Sequence, residues 1–346
     1  MTKENEKKKD LALDYIRAIA MLMIAFCHFF QILHSLELAF WLNIGVQIFL
    51  VLSAKLLQKK SFNTKRDALQ FYKTRVVRIM LPVWIYLIAI CTVLVVIQQP
   101  PSWISVIAYA LGGAAFVKNG ILGLGHFWYL TIILIAYLLT PVLAIFAKRM
   151  KEARRWIFVS ILVMISLGLV SIFWLIATPA YGVHLSLFIV AYYLFQRQEQ
   201  DRDWAKNGVK YVFIPMILSV AGRIACTIVG VEAWKYYTVY DALCIPIFKA
   251  VQGYWLFCAL YCLFSQEKCR VFPKAIEKLS VLSFEIYITH QFIELAVYEY
   301  VPYCNSGTIL GGMLMFVVSA VLIAINTVVL HYLVDLARKG GAKLKR

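Results

Sequence analysis

The stretch that decides the class of this protein is LDYIRAIAMLMIAFCHFF, at residues 13–30. Apart from Asp14, Arg17 and His28 it is apolar, and a helix of about 20 such residues crosses the hydrocarbon core of a bilayer. The whole chain has the same character, because 62% of its 346 residues are hydrophobic and only 15% are charged, against about 45–50% and about 25% in soluble domains. This excess of apolar surface excludes a water-soluble fold and predicts an integral membrane protein.

Apolar runs of about the length of a bilayer recur ten times along the chain. They predict an all-α integral membrane protein, a polytopic bundle of about ten transmembrane helices, in a single domain over residues 1–346 with tails at 1–12 and 336–346. The segment from Trp103 to Phe116 is too short and too interrupted by Gly to span, so we assign it to an interfacial or re-entrant position. The ten runs cover residues 13–34, 39–57, 79–98, 125–147, 156–177, 181–196, 209–230, 239–264, 281–302 and 308–335.

Basic residues are concentrated in alternate loops. Thirty of the 35 Lys and Arg residues lie in the two tails and in every second loop, whereas the intervening loops carry only Lys118 and Lys235. Because basic loops stay in the cytoplasm, the pattern predicts a multi-pass protein of the cell membrane with both termini cytoplasmic. The formal net charge of +17 then marks contact with membrane lipids at the inner leaflet or a site for a polyanionic cytosolic ligand, and we expect no nucleic acid partner.

The cysteines give no sign of a metal site. The chain has eight, with no CxxC pair and no metal-ligand spacing, so we expect no metal ion and predict that these residues are buried in the core or in lipid.

Two ionisable residues on the first run are the first functional candidates. Arg17 and His28 are eleven residues apart, close to three helical turns, so both project from one face at a separation of about 16 Å. Ionisable groups inside a membrane are costly and mark functional sites. The alternative is structural: Arg17 anchors the helix at the headgroups, and His28 hydrogen-bonds to a neighbouring helix.

A pair of arginines precedes the third run. Arg75 and Arg78, in FYKTRVVRIMLP, are three residues apart and share a helix face. Two guanidiniums on one face can bind phosphates through paired hydrogen bonds. A basic amphipathic helix that rests on anionic headgroups would have the same pattern.

The fourth run opens with His126, Trp128 and Tyr129 at its expected outer end. An aromatic belt at the membrane interface explains the Trp and the Tyr without any catalytic role. The aromatic belt does not explain His126, although a single interfacial His is more often structural than catalytic.

The ninth run is too polar to face lipid. It holds Glu285, His290, Gln291 and Glu294, and the spacing of His290 and Glu294 allows a hydrogen bond on one helix face.

Two cations, Arg223 and Lys249, lie in neighbouring runs, and we expect their partners to be the carboxylates of the ninth run and Asp241. The bundle is therefore predicted to enclose a polar cavity, which suits a transporter as well as an enzyme.

Five stretches, in order, resemble the membrane acyltransferase-three family of bacterial and animal transmembrane acyltransferases. One of them departs from the family, because Ser53-Ala54 stands where the family has Ser-Gly. The five are LDYIRAIAMLMIAFCH (13–28), NIGVQIFLVLSAKLL (43–57), FYKTRVVRIMLP (71–82), HFWYLTIILIAYLLTP (126–141) and LSFEIYITHQF (282–292).

The resemblance implies an enzyme that takes an acyl group, most often acetyl, from cytosolic acyl-CoA and delivers it to a hydroxyl of an extracytoplasmic or lipid-linked glycan. Acetyl-CoA would be the donor substrate, with no tightly bound cofactor. Capsular polysaccharide or exopolysaccharide is the first expectation for the acceptor. By position, His28 would be the catalytic His and Arg17 its basic companion, while Arg75 and Arg78 would meet the CoA phosphates.

In the mechanism we expect, His28 is the general base on the acceptor hydroxyl, or else a transient acyl carrier. His126 or His290 would polarise the thioester carbonyl. The donor-binding residues would be Arg17, Arg75, Arg78, Ser53, Trp128 and Tyr129.

Two other classes of function compete with the enzyme. A transporter or flippase for a glycan precursor or a small polar solute would use the intramembrane charges equally well. A non-catalytic scaffold would keep the basic loops but has no need for Arg75 and Arg78. A homo-oligomer is compatible with each of these functions.

Overall fold

The computed structural model describes residues 10–118, 120–149, 154, 158–163, 165–166, 180–198, 214, 216–225, 227–228 and 244–343. Regular secondary structure within these ranges is entirely helical. The helices used below are α1 (Leu11–Ile32), α2 (Leu36–Leu42), α3 (Gly45–Leu57), α4 (Lys65–Val96), α5 (Trp103–Ala110), α6 (Trp128–Arg149), α7 (Ala180–Gln198), α8 (Met216–Ala225), α9 (Ile245–Ser265), α10 (Pro273–Tyr300) and α11 (Ile309–Lys343).

Six helical stretches of the described chain are long and apolar enough to cross a membrane. They are α1, α2 with α3, α4, α6, α9 and α11, which supports the prediction of a membrane protein. Helix α10 has 28 residues but is too polar to be among the six. Much of the predicted fifth run and part of the seventh lie outside the described residues, so the count of ten and the side of each terminus stay predictions.

The second predicted run differs from the helices observed. The run at 39–57 is broken at Asn43 and Ile44, between α2 and α3. The break brings Gly45 against α1, where a Cβ would lie 2.6 Å from the Ala20 carbonyl oxygen, so the close contact requires glycine. The segment predicted to be interfacial or re-entrant contains α5, whose 8 residues are too few to span a bilayer.

Helix α4 begins well before its apolar part. Thr64 and Asp67 form a capping box, in which the Asp67 N–H donates to Thr64 Oγ1 at 3.2 Å and the Thr64 N–H donates to Asp67 Oδ2 at 2.9 Å. From this cap the helix continues without interruption past Pro82 to Val96. Arg75 and Arg78 are therefore fixed to the same helix that crosses the membrane.

Helices α1 and α10 are parallel and in register, and they form the most extensive helix pair in the described structure. Arg17 contacts Ser280 near one end, and His28 contacts Gln291 eleven residues further along both helices. Helix α11 runs antiparallel to α10, since Glu285 pairs with His331 and Thr289 with Thr327. The α1–α10 pair therefore carries two polar layers about 16 Å apart.

Candidate functional site

Three imidazoles meet in one layer, which we call the histidine layer: His28 from α1, His126 from the turn before α6, and His290 from α10. The ring centroids are 6.0 Å apart for His28 and His126, 5.3 Å for His28 and His290, and 4.7 Å for His126 and His290. His126 and His290 are buried, while His28 is half-buried. The layer therefore presents His28 as its most accessible imidazole.

Gln291 lies beside His28 and hydrogen-bonds to His126. Its Oε1 accepts hydrogen bonds from the His126 backbone N–H at 3.1 Å and from His126 Nδ1 at 2.6 Å. The backbone donor fixes which end of the amide is the oxygen, so Nε2 is the atom that lies 3.3 Å from His28 Nδ1. The Tyr287 hydroxyl also donates to the His126 carbonyl, which holds the turn before α6 against α10.

Hydrogen bonds at Nδ1 assign the tautomers of the two buried rings. His126 Nδ1 donates to Gln291, and His290 Nδ1 donates to the Tyr287 carbonyl at 2.9 Å. In a neutral imidazole the other nitrogen then has a lone pair and no proton. The Nε2 atoms of both rings are buried and have no hydrogen-bond partner, so each is ready to accept a hydrogen bond rather than to donate one.

Gln31 orients His28. The Gln31 Oε1 atom lies 2.9 Å from His28 Nδ1, one helical turn further along α1. This distance is shorter than the 3.3 Å to Gln291 Nε2, so we assign the proton on Nδ1 to the bond with Gln31. His28 Nε2 is then the basic nitrogen. An acceptor behind a catalytic imidazole plays the same part in other enzymes, where it fixes the ring and its tautomer.

The second polar layer lies at the other end of the α1–α10 pair. Arg17 donates to the Ser280 hydroxyl at 3.0 Å and lies 3.4 Å from Asp14 Oδ1, while the Ser280 hydroxyl donates to the same Asp14 oxygen at 2.6 Å. The Arg17 side chain keeps 29% of its exposure, against 5% for Asp14. The guanidinium is therefore held in place by Asp14 and Ser280 while part of it is free to meet a ligand.

Arg75 and Arg78 lie beside this second layer. The Arg75 guanidinium is 5.4 Å from the Phe71 ring centroid and 5.3 Å from that of Tyr137, within the range of cation–π contacts. Arg78 is exposed, and both Arg78 and Tyr137 are close enough to Arg17 to act on its charge. We call Arg17, Arg75 and Arg78 the arginine cluster.

Ser53, Trp128 and Tyr129 lie inside the bundle. Tyr129 is buried, within hydrogen-bonding reach of Ser53 and 5.6 Å from the Tyr287 ring centroid. The Trp128 ring stacks on His184, with 5.1 Å between centroids. Both residues therefore pack against neighbouring helices, and their depth relative to the headgroups stays a prediction.

Two cavities in the described structure lie beside α10: one of about 430 Å³ between α4, α10 and α11, and one of about 280 Å³ between α10, Leu122 and the residues just beyond α4. Neither is lined by an imidazole of the histidine layer or by the arginine cluster. On α1, between the two layers, the face is filled by Met21 and Ile24, which are buried. No group of three His, Cys, Asp or Glu side chains in the described chain is arranged to hold a metal ion.

Comparison with known families identifies the chain. A family model described as an acyltransferase domain, acyltransferase family 3, matches residues 10–331. The chain belongs to acyltransferase family 3. The match begins at the cap of α1 and ends in α11, so this membrane acyltransferase has both polar layers inside its family domain. Searches of curated proteins and of solved structures gave no match.

Several expected pairings in this family 3 acyltransferase are wrong. His290 does not hydrogen-bond to Glu294, because its Nδ1 donates to backbone carbonyls and its Nε2 has no partner. Glu285 pairs with His331, whose Nδ1 lies 3.0 Å from Oε1. Glu285 is therefore held by a helix–helix contact that residue spacing does not encode.

Arg223 of the acyltransferase also has a different partner from the one expected. Its guanidinium donates to Gln252 Oε1 at 2.9 Å and to the Phe40 carbonyl, and it lies 3.8 Å from the Phe40 ring centroid. An amide, a carbonyl and a ring face therefore replace the predicted carboxylate. Asp241, the other expected partner, lies outside the described residues.

Sequence reasoning missed four polar residues of this acyltransferase. Gln31 and Gln291 hydrogen-bond to the histidine layer, His184 stacks on Trp128, and His331 pairs with Glu285. Gln291 had been noted for its polarity but given no role. The available signal for Gln31 was its spacing, since it follows His28 by three residues on the same helix.

Proposed function

We propose that this protein is a membrane O-acyltransferase that moves an acyl group, acetyl first of all, from cytosolic acyl-CoA to a hydroxyl of an extracytoplasmic or lipid-linked glycan. The observation that carries the proposal is the parallel pairing of α1 with α10. The Arg17 guanidinium and the His28 imidazole lie eleven residues apart on α1, and each contacts α10 at the matching position. The separation of about 16 Å is comparable to the reach of the pantetheine arm of CoA.

The arginine cluster suits the nucleotide end of the donor. CoA has a polyanionic nucleotide and a thin, uncharged arm, and guanidiniums bind phosphates through charge-assisted, paired hydrogen bonds. Arg78 is exposed and Arg75 half-buried, so both are accessible to a ligand from the loop side. This assignment sets the arginine cluster on the cytoplasmic side, in agreement with the basic loops.

Group transfer takes place in the histidine layer. His28 Nε2 takes the proton from the acceptor hydroxyl as its oxygen attacks the thioester carbonyl carbon. The carbon–sulfur bond then breaks, and the CoA thiolate leaves with the bonding electron pair and takes up the proton from His28. Gln31 keeps the proton on Nδ1 throughout, so that Nε2 is the reacting atom.

The tautomers of His126 and His290 argue against the expectation that one of them polarises the thioester carbonyl. A neutral ring with its proton on Nδ1 accepts at Nε2, so it cannot polarise a thioester carbonyl unless it is protonated. We therefore assign His126 and His290 to the acceptor side. Their Nε2 lone pairs receive hydrogen bonds from the acceptor's hydroxyls and hold the reacting oxygen near His28.

Acetyl-CoA turnover by the purified protein tests this proposal. His28→Ala should lose at least about 100-fold in turnover, which is the lower end of the contribution of a general base. His34→Ala is the matched control, because His34 lies just beyond α1 and is exposed. If His28→Ala turns over acetyl-CoA at the parent rate, the assignment of the base is wrong.

A further inference from the structure

The larger of the two cavities is an apolar groove that lies along the helices. It has a volume of about 430 Å³, within the range of about 300–1,000 Å³ typical of ligand sites. Apart from Asn326, its walls are aliphatic and aromatic side chains, most of them on α4, α10 and α11, among them Ala89, Ala296 and Val329. Along α11 it extends from Leu322 to Leu333, a length of about 16 Å. A groove of this shape fits an extended hydrocarbon chain.

A polar cavity continues the groove at one end. It has a volume of about 280 Å³ and shares Phe292, Ala296 and Tyr300 with the groove. Gln99 and Glu299 line it, and both are exposed. Gln99 lies just beyond the end of α4 and Glu299 in the last turn of α10, so the polar cavity lies at the end of the membrane-spanning part. A carboxylate beside an amide suits hydroxyl groups and disfavours phosphate.

The polar cavity lies nearer than the groove to the face of α10 that carries Gln291. At about 100° per residue, Ile293 and Val297 of the groove point about 120–160° away from Gln291. Phe292 and Glu299 of the polar cavity point only about 80–100° away from it. Phe292 is also the residue on which Gly123 packs with φ +71°, where a Cβ would lie 2.7 Å from Cδ2. From Gly123 the chain reaches His126 three residues later.

Resting on the proposed function, we infer that the acceptor is a neutral glycan attached to a long-chain lipid, with its chain in the apolar groove and its first sugars in the polar cavity. The order of apolar groove, polar cavity and histidine layer matches the order of parts in such a molecule. It would bring a sugar hydroxyl to His28 from one side of α10, while the acyl-CoA bound at the arginine cluster would approach from the other side. A water-soluble glycan would have no use for the groove.

Photocrosslinking in phosphatidylglycerol nanodiscs tests the inference, because the probe must then compete with phospholipid for every site that it labels. The probe is dodecyl β-glucoside with a diazirine at the chain end, and mass spectrometry locates the labels. We expect labels on the groove-lining peptides of α4, α10 and α11. Ala296→Trp and Ala89→Trp should each reduce the yield about tenfold, the effect of losing about two buried methylenes. Val317→Trp, on an exposed part of α11 outside both cavities, should label as the parent does.

Labels spread over the lipid-facing surface of α11, or an unchanged yield in both groove variants, would overturn the inference and identify the groove as an ordinary lipid contact. Thermal stabilisation by acetyl-CoA reports whether each variant is folded. Acetyl-CoA turnover by the parent protein separates the two proposals. If the parent turns over acetyl-CoA but the groove is not labelled, the acceptor inference fails alone, and if it does not turn over acetyl-CoA, the proposed function fails.

Discussion

Replacing Gln291 with leucine tests whether its hydrogen bonds to His126 hold the histidine layer in place. The Gln291 oxygen accepts two hydrogen bonds from His126, at 3.1 Å from its backbone nitrogen and at 2.6 Å from Nδ1. Leucine has a similar volume but leaves both donors without a partner. A buried donor without a partner costs about 1–3 kcal/mol. Because Gln291 is only half-buried, solvent offsets part of this cost, and we expect the free energy of unfolding to fall by about 2–3 kcal/mol.

The same change should also slow catalysis. Without Gln291 the His126 ring is free to turn, and His28 loses a neighbour 3.3 Å from Nδ1. Loss of a partner that orients a functional imidazole costs about 10- to 100-fold in activity in comparable sites. Gln291→Glu keeps an acceptor for both His126 donors, so it should retain more stability than the leucine variant.

The assay combines thermal unfolding in detergent with acetyl-CoA turnover at saturating donor. Gln266→Leu is the matched control, since Gln266 is exposed at the end of α9 and its side chain caps nothing. The control should match the parent in both measurements. A Gln291→Leu variant with the parent's unfolding temperature and turnover would show that the hydrogen bonds between His126 and Gln291 do not hold the histidine layer in place.

Two further predictions concern the donor. Arg75→Ala and Arg78→Ala should each raise the KM for acetyl-CoA about tenfold and change kcat less. Lys65→Ala, at the exposed start of α4, should change neither constant. If steady-state kinetics show equal effects at all three positions, the two arginines act only as general surface charge. Acetyl-CoA at about 100 times its dissociation constant should stabilise the protein by about 2.7 kcal/mol, visible as a rise in unfolding temperature, while a carrier of glycan precursors should show no rise.

The helical period explains what could be predicted from the sequence. Arg17 and His28 share a face because eleven residues make about three turns, and both contact α10 as that pattern requires. The membrane class followed from composition alone. Arg75 and Arg78 were also placed together on one helix, since a short spacing within a helix fixes relative position without any knowledge of its neighbours.

Contacts between helices explain what could not be predicted. Apolar membrane helices pack in many registers, so local pattern does not tell that Glu285 meets His331 or that Arg223 meets Gln252. The packing of Trp128 could not be predicted for a related reason. A Trp near the end of a span is typical of the interface, and only the position of α7 shows that this ring stacks on His184.

The register of α1 and α10 also gives new meaning to residues that spacing alone left without a role. Gln291 stands out in the sequence only for its polarity, yet it hydrogen-bonds to His126 and lies 3.3 Å from His28 Nδ1. Ala54, which departs from the family's glycine, is fully buried in the core. The additional methyl group is therefore accommodated by packing at this position.

A cryo-EM map of the protein with CoA bound tests whether the donor extends from the arginine cluster to the histidine layer. We predict phosphate density against Arg75 and Arg78, with the pantetheine arm following α1 past Met21 and Ile24 and the sulfur close to His28. Those two side chains would have to move from their buried positions, which the same map would show. Nucleotide density at any other surface, or a pantetheine arm that leaves the bundle without approaching the histidine layer, would contradict this binding mode of CoA.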